Sequence, residues 1–188
     1  TKRSLIFLNV HGRDNFVALA NLTTFEKHAI ICLVETWKTE SAASSLFVNK
    51  DCFVSHAGKH SRGRPYGGIE VYVSKHLQAS EVSNTQHHIA VNVGATTIIS
   101  VYYSPKIEFD DLISDLSKAI SNHQNKEEIV LCGDFNLRYE SDNFRCLERF
   151  LGDNEISLRS DAQVPTFFHP KGSSTPDYVF ASRSTNST

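Results

Sequence analysis

Several short apolar runs in this chain end on oxygen-bearing side chains. Asn9 follows SLIFL, Glu35 follows IICLV, and Asp134 and Asn136 follow IVLCG. The ends of buried strands are where α/β proteins build sites, because the sheet holds a side chain rigidly yet leaves it exposed at its edge. Carboxylates and amides converging there make a hard, all-oxygen donor set, suited to Mg²⁺ or Mn²⁺ and not to zinc. Singly, each has an ordinary role: Asn9 bonding a turn, Glu35 as a solvated strand terminus, Gly133–Asp134 as a turn. Their weight comes from recurring together and in this order. Lys59, His60, Arg62 and Arg64 form the dense basic cluster of the chain, in a glycine-containing loop. Such a loop suits phosphate contacts or plain solvation equally well. Trp37, beside Glu35, either packs or touches a base. His87–His88 reads as a polar strand edge, with no third ligand nearby in sequence. His169 reads as a hairpin surface histidine, with a substitute acid near the site as the alternative.

Alternating strand-like and helix-like segments must hold these residues. Ser4–Val10 and Ala29–Val34 read as buried strands, and Glu128–Cys132 as a third. Between the first two, Asp14 or Asn15 is placed to cap one helix running to about Lys27. Gly68–Val73, Ile89–Val93 and Thr97–Tyr103 are β-rich and predict a meander, with a turn at Gly94. Phe109, Leu112, Ile113, Leu116 and Ile120 keep helical spacing behind acidic residues 108, 110 and 111, which suit a helix N-terminus. Phe144, Leu147 and Leu151 mark another helix, capped by Asp142 or Asn143 and stopped at Gly152. Thr166–His169 and Tyr178–Ala181 predict a terminal hairpin around Lys171–Gly172. Strands mixed with flanking helices predict sheets packed together with helices outside.

Composition bounds the rest. A chain of 188 residues is long enough for one domain with a sizeable core. Forty per cent hydrophobic and 21% charged residues exclude disorder. A formal net charge of −2 excludes a basic DNA-coating protein, so nucleic-acid contact must come from a local patch. Cys32, Cys52, Cys132 and Cys146 show no CxxC pair and read as reduced and intracellular. No apolar run approaches membrane-spanning length, so no membrane partner is expected. The polar tail 182–188 is expected to fray.

Asn9 in LNVHG, Glu35 in CLVETW, Tyr102 in SVYYSP, the run GDFNLR and Asp177 in STPDYVF resemble, in order, the signatures of the endonuclease/exonuclease/phosphatase (AP-endonuclease/DNase I-like) superfamily. RGRPYGGIEVY at 62–72 and the ending TFFHPKGSSTPDYVF are similar to the endonuclease domains of non-LTR (LINE-type) retrotransposons. The resemblance implies a four-layer α/β sandwich of two mixed sheets flanked by helices. It implies an enzyme dependent on Mg²⁺ or Mn²⁺ that nicks a DNA phosphodiester and leaves a 3′-hydroxyl for target-primed reverse transcription. Glu35 would bind the metal with Asn9 beside it. Asp134 would position or activate the attacking water, Asn136 would hold the phosphate, and Tyr102 would donate to it. Asp177 would orient a catalytic histidine. Asn9, His11, Arg62, Arg64 and Ser174 would contact substrate. The partners implied are DNA and a covalently linked reverse transcriptase, in the nucleus. An abasic-site nuclease or phosphatase of the same fold, or a catalytically dead domain docking DNA or a partner, is the alternative.

The pattern is broken in places. The family's last element carries Ser-Asp-His, whereas 11 residues follow Asp177 here and none is Asp or His. The expectation is a single domain over 1–188, truncated at its C-terminal end, lacking its last strand and with little activity of its own. His11 stands where the family has Asp or Asn, and Pro176 where it has an aliphatic residue.

Overall fold

The run IICLV of β2 (Ile30–Val34) contains no charged or hydrogen-bonding side chain beyond one thiol, and it is buried along its whole length. Its side chains alternate between two faces, as the period of a strand requires. Ile30, Cys32 and Val34 enter one core cluster; Ile31 and Leu33 enter another. A strand buried on both faces must be the middle of a layered structure. The computed structural model describes residues 4–19, 21–39, 45–59, 63–121, 128–161, 164, 166–169 and 172–182.

β1 (Leu5–Asn9) runs parallel to β2, with α1 (Arg13–Leu19) and α2 (Leu22–Glu26) in the crossover. β4 (Ile69–Ser74) pairs antiparallel with β2 on one side and with β3 (Lys50–Ser55) on the other, giving a four-stranded sheet in the order β1-β2-β4-β3. The next elements are β5 (Ser80–Asn84), β6 (His88–Val93), β7 (Thr96–Tyr102), α3 (Phe109–Ser121), β8 (Glu128–Asp134), α4 (Asp142–Asp153) and β9 (Ile156–Leu158). The last are β10 (Phe167–His169), β11 (Gly172–Ser174) and β12 (Asp177–Ser182). The second sheet has six strands in the order β5-β6-β7-β8-β12-β9, with β7 and β8 parallel across α3.

The two mixed sheets pack face to face. Cys32, Val34, Ile69 and Val71 of the first meet Ile89, Val91, Tyr102 and Cys132 of the second in one cluster. Leu112, Leu116 and Ile120 of α3 and Phe144, Leu147 and Leu151 of α4 cover the outer face of the six-stranded sheet. Phe16, Leu22 and Phe25, of α1 and α2, cover the outer face of the other. The result is the expected α/β sandwich of four layers.

Four local expectations are corrected. The helix after β1 is two helices, because the Asn21 side chain accepts from Thr23 N at 3.2 Å and restarts the chain as a new N-cap. Residues 69–74 do not join a meander with β6 and β7. They cross to the first sheet, where a wholly apolar inner face is needed between β2 and β3. Ser141, not Asp142 or Asn143, caps α4 by accepting from Phe144 N at 3.2 Å, and α4 runs past Gly152 to Asp153. Finally, 166–169 and 178–181 are not partners: β10 pairs with β11, while β12 lies between β8 and β9. Tyr178 and Phe180 belong to the core under α4, which a peripheral hairpin would waste. The four cysteines are all free; Cys32 and Cys132 are buried, Cys52 is half-buried, and Cys146 is exposed.

Candidate active site

Parallel pairing sets the C-terminal ends of β1 and β2 side by side, with Asn9 opposite Val34 and Glu35 next in the chain. The same holds for β7 and β8, where Tyr102 is opposite Asp134. Antiparallel β12 then begins at this end, placing Asp177 opposite Asp134. Three strand relationships therefore gather residues separated by up to the length of the chain. Pro176 does not disturb this register. Its carbonyl accepts from Phe135 N at 2.9 Å, and a strand start loses nothing by lacking an N–H.

Asn9, His11, Glu35, Asp134, Asn136, Thr166, Pro176 and Asp177 line one cleft of about 770 Å³. Asn9 Nδ2 donates to Asp134 Oδ2 at 2.9 Å, and the Asn136 backbone N–H donates to Asp134 Oδ1, also at 2.9 Å. Both oxygens of the buried Asp134 are thus fixed. The Tyr102 hydroxyl donates to Glu35 Oε1 at 2.6 Å, and His11 Nδ1 lies 2.8 Å from Glu35 Oε2. The Asn136 side-chain nitrogen donates to Tyr103 O at 2.8 Å, tying the loop after β8 to β7. Gly133 is glycine for a steric reason: a Cβ there would lie 2.2 Å from Val101 O. His11, Glu35 and Asn136 all hold positive φ, at 44°, 53° and 50°. Such left-handed backbone is uncommon for residues other than glycine and clusters at functional sites.

The electrostatics follow from the crowding. Burial, then the neighbouring Asp177, raises the Asp134 carboxyl to about 8. Burial also raises Asp177, with Glu35 adding to the effect and the Thr166 side-chain hydrogen bond and His11 opposing it. Among the described residues, Asp177 Oδ1 is buried without a hydrogen-bond partner. Burial and the hydrogen bond to Glu35 hold the Tyr102 hydroxyl protonated, far above its ordinary range. Three carboxylates around one cleft, with a buried unsatisfied oxygen, form a donor set that a hard dication fits. Among the described residues no cage of three or more His, Cys, Asp and Glu closes around a point. A dication here would keep water ligands, as Mg²⁺ characteristically does.

Arg64 does not line the cleft. It is exposed and stacks over Trp37, its guanidinium carbon 4.5 Å from the ring centroid. Arg62 and His60 lie outside the described residues, as do the side chains of Ser174 and His169. The sequence reading missed Thr166, whose only signal was its nearness to Asp177 across a short loop. It also misplaced His88, which is 2% exposed and buried under α3. His88 Nδ1 lies 2.9 Å from Asp115 Oδ2, and the Tyr103 hydroxyl donates to the same oxygen at 2.8 Å. Only its adjacency to the apolar run of β6 hinted that it faces inward.

Two packed mixed sheets with outer helices, and an acidic cleft where their strand ends meet, define the DNase I-like fold. The second half of the chain is similar in sequence to the endonuclease/exonuclease/phosphatase superfamily. The family model described as endonuclease-reverse transcriptase matches residues 96–188. The endonuclease domain of TRAS1, a telomere-specific non-LTR retrotransposon, superposes with a TM-score of 0.72 at 20% identity, covering 95% of this chain and 83% of that one. The 3′ phosphatase NExo from Neisseria, solved with a product DNA hairpin, gives a TM-score of 0.71 at 15% identity, covering 96% of this chain and 87% of that one. An AP endonuclease from Archaeoglobus fulgidus gives 0.70 at 12% identity, with coverage of 96% and 87%. No curated protein matches the chain by sequence search.

Proposed function

We propose that this domain is a divalent-cation-dependent endonuclease that hydrolyses a DNA phosphodiester and leaves a 3′-hydroxyl, which a linked reverse transcriptase extends in the nucleus. The observation that carries the reading is the fixed Asp134 carboxyl, held on both oxygens beside the Glu35–Tyr102 pair. Support for the retrotransposon branch comes from the endonuclease-reverse transcriptase family match.

Glu35 and Asn9 would hold the cation, which neutralises charge on the phosphate and stabilises the leaving oxygen when bound. Asp134, with a carboxyl near neutral acidity, is suited to accept a proton from the attacking water. Asn9 and the Asn136 backbone N–H both bond that carboxylate, which supports a positioning part for Asn136. The Tyr102 hydroxyl orients Glu35. Asp177 supplies an acceptor on the far side of Asp134, where it is suited to orient a cationic or imidazole partner.

The test is conversion of supercoiled plasmid to open circles by the protein carrying this domain, with and without Mg²⁺ or Mn²⁺. Extension of the nick by a polymerase reads the 3′-hydroxyl. Glu35→Gln and Asp134→Asn should each abolish nicking while the folded state persists. Nicking that survives both substitutions, or no cation-dependent nicking at all, overturns the reading and leaves a docking domain.

A further inference from the structure

His11 is the residue of the cleft that an all-oxygen cation site does not explain. Its Nδ1 sits 2.8 Å from Glu35 Oε2, and the two side chains are 51% and 17% exposed. A contact this open contributes little to stability. Yet the backbone is bent to make it, with φ of 44° at His11 and 53° at Glu35. The bend is held from several directions. His11 N donates to Asn9 Oδ1 at 3.3 Å, Gly12 N to Glu35 O at 2.8 Å, and Asn15 Nδ2 to His11 O at 3.2 Å. Arg13 N donates to Thr36 O at 2.8 Å, and the Arg13 guanidinium is anchored 3.3 Å from the fully buried Glu70. Strained backbone persists only where its surroundings over-determine it, and it marks functional positions. The fold therefore presents a ring nitrogen and a carboxylate oxygen side by side at the mouth of the cleft. Adjacent ligands on one cation with bonds of about 2.1 Å lie about 3 Å apart, close to the separation held here.

We propose that His11 is a nitrogen ligand of the cleft cation, which makes this a mixed nitrogen–oxygen site that takes transition-metal dications such as Mn²⁺ in preference to Mg²⁺. The inference rests on the reading above that Glu35 holds a cation, and it moves His11 from substrate contact to metal ligand. Imidazole adds affinity along the series from Mn²⁺ upward, whereas Mg²⁺ gains little from a nitrogen donor. In a neutral ring bound through Nδ1, the ring proton resides on Nε2.

The experiment uses the metal alone. Mn²⁺ binding to the purified protein is followed by loss of the free-ion EPR signal, Mg²⁺ by competition, and the bound Mn²⁺ is examined by spin-echo modulation for a directly coordinated nitrogen. The variants are Glu35→Gln, His11→Asn and His11→Ala. Asparagine tolerates the left-handed backbone at position 11, so His11→Asn keeps the turn where alanine strains it. The expected result is nitrogen modulation in the wild type and its loss in both His11 variants. Mn²⁺ affinity should fall about tenfold in His11→Asn while Mg²⁺ affinity changes less than about threefold, and Glu35→Gln should lose both ions. Mn²⁺ that depends on Glu35 but shows no nitrogen coupling, with an unchanged Mn²⁺-to-Mg²⁺ ratio in His11→Asn, overturns the inference and leaves the cation site standing. Binding that is absent, or indifferent to Glu35→Gln, overturns both.

Discussion

The Asn9 side-chain amide, at the end of β1, donates to Asp134 Oδ2, at the end of β8, across a distance of 2.9 Å. β1 belongs to the four-stranded sheet and β8 to the six-stranded one, so this bond joins the two sheets where the cleft opens. One amide thereby links the relative position of the sheets to the orientation of the candidate base. Asn9→Ala should lower nicking by about 10- to 100-fold, because the loose carboxylate samples unproductive orientations. Stability should change by only about 1 kcal/mol, the ordinary net value of one hydrogen bond at a site that water can reach. Plasmid nicking rates set beside urea midpoints check both. A variant as active as the wild type would remove Asn9 from the machinery.

The crowding of Asp134 predicts a pH dependence with a definite sign. Its folded carboxyl sits at about 8, against about 4 for an unfolded aspartate. Between these values the unfolded chain is ionised while the folded site retains its proton. The folded state binds more protons there, so this group's contribution is fully present below about pH 4 and is lost as pH rises through about 8. Asp177 is raised as well and acts in the same direction. Asp115, lowered by its hydrogen bond and charge contact with His88 despite burial, acts oppositely at acid pH. Asp134→Asn isolates the first effect. In EDTA the variant should match the wild type near pH 4 and melt a few degrees higher at pH 9. Mn²⁺ or Mg²⁺ should shrink the gap. A melting-temperature difference that stays constant from pH 4 to 9 would contradict the assigned environment of Asp134.

How far the sequence revealed all this depends on how local each determinant is. β2, β8, α3 and the β6–β7 hairpin were legible because hydrophobic periodicity and a turn at Gly94 operate within one segment. The convergence of Asn9, Glu35 and Asp134 was legible because each closes an apolar strand, although β1 is only half-buried along its length, unlike β2. The second partner of each strand was not. Nothing within IEVYVS says that β4 crosses to the first sheet, and nothing within DYVFAS says that β12 inserts between β8 and β9. Those pairings are decided by which inner face needs covering. β5 escaped notice because SEVSN is polar and lies at a sheet edge, where no core imposes a pattern. The bend at His11 was equally hidden, since neither histidine nor glutamate announces a left-handed backbone.

Buried beneath the His11 turn, Arg13 pairs with Glu70, which also accepts from the Tyr72 hydroxyl. Glu70 is fully buried, so removing its cation leaves a charge in the interior. Arg13→Met should destabilise the domain by about 3–5 kcal/mol, the usual cost of breaking one side of a buried pair. Glu70→Gln in the same chain should recover much of that loss, since the amide carries no charge to strand. Urea denaturation of the single and double variants measures the coupling. Additive effects would mean that the two side chains do not interact.

Arg64 and Trp37 form an exposed pair suited to contact DNA under the proposed function. The guanidinium carbon lies over the indole, 4.5 Å from its centroid, so the exposed charge is seated on an aromatic base. Trp37 also sits two residues beyond Glu35 and holds a φ of 54°, fixed by its N–H donating to Gly67 O at 3.0 Å. The pair is therefore built into the same strand-end framework as the cleft. With a net charge of −2, the domain lacks a general attraction for polyanions, and single local contacts should be readable. If Arg64 meets a phosphate, Arg64→Ala should weaken DNA binding for every sequence alike and reduce the slope of log affinity against log salt by about 1. Trp37→Phe should keep most of the affinity, because an aromatic face remains beneath the guanidinium. Trp37→Ala should instead resemble Arg64→Ala, because the charge loses its platform. Binding to a short duplex, measured by fluorescence anisotropy from 50 to 200 mM salt, the range over which phosphate contacts change affinity most visibly, decides the matter. An unchanged salt slope in Arg64→Ala would assign the stack a purely structural part. A loss confined to particular sequences would instead place Arg64 at a base edge.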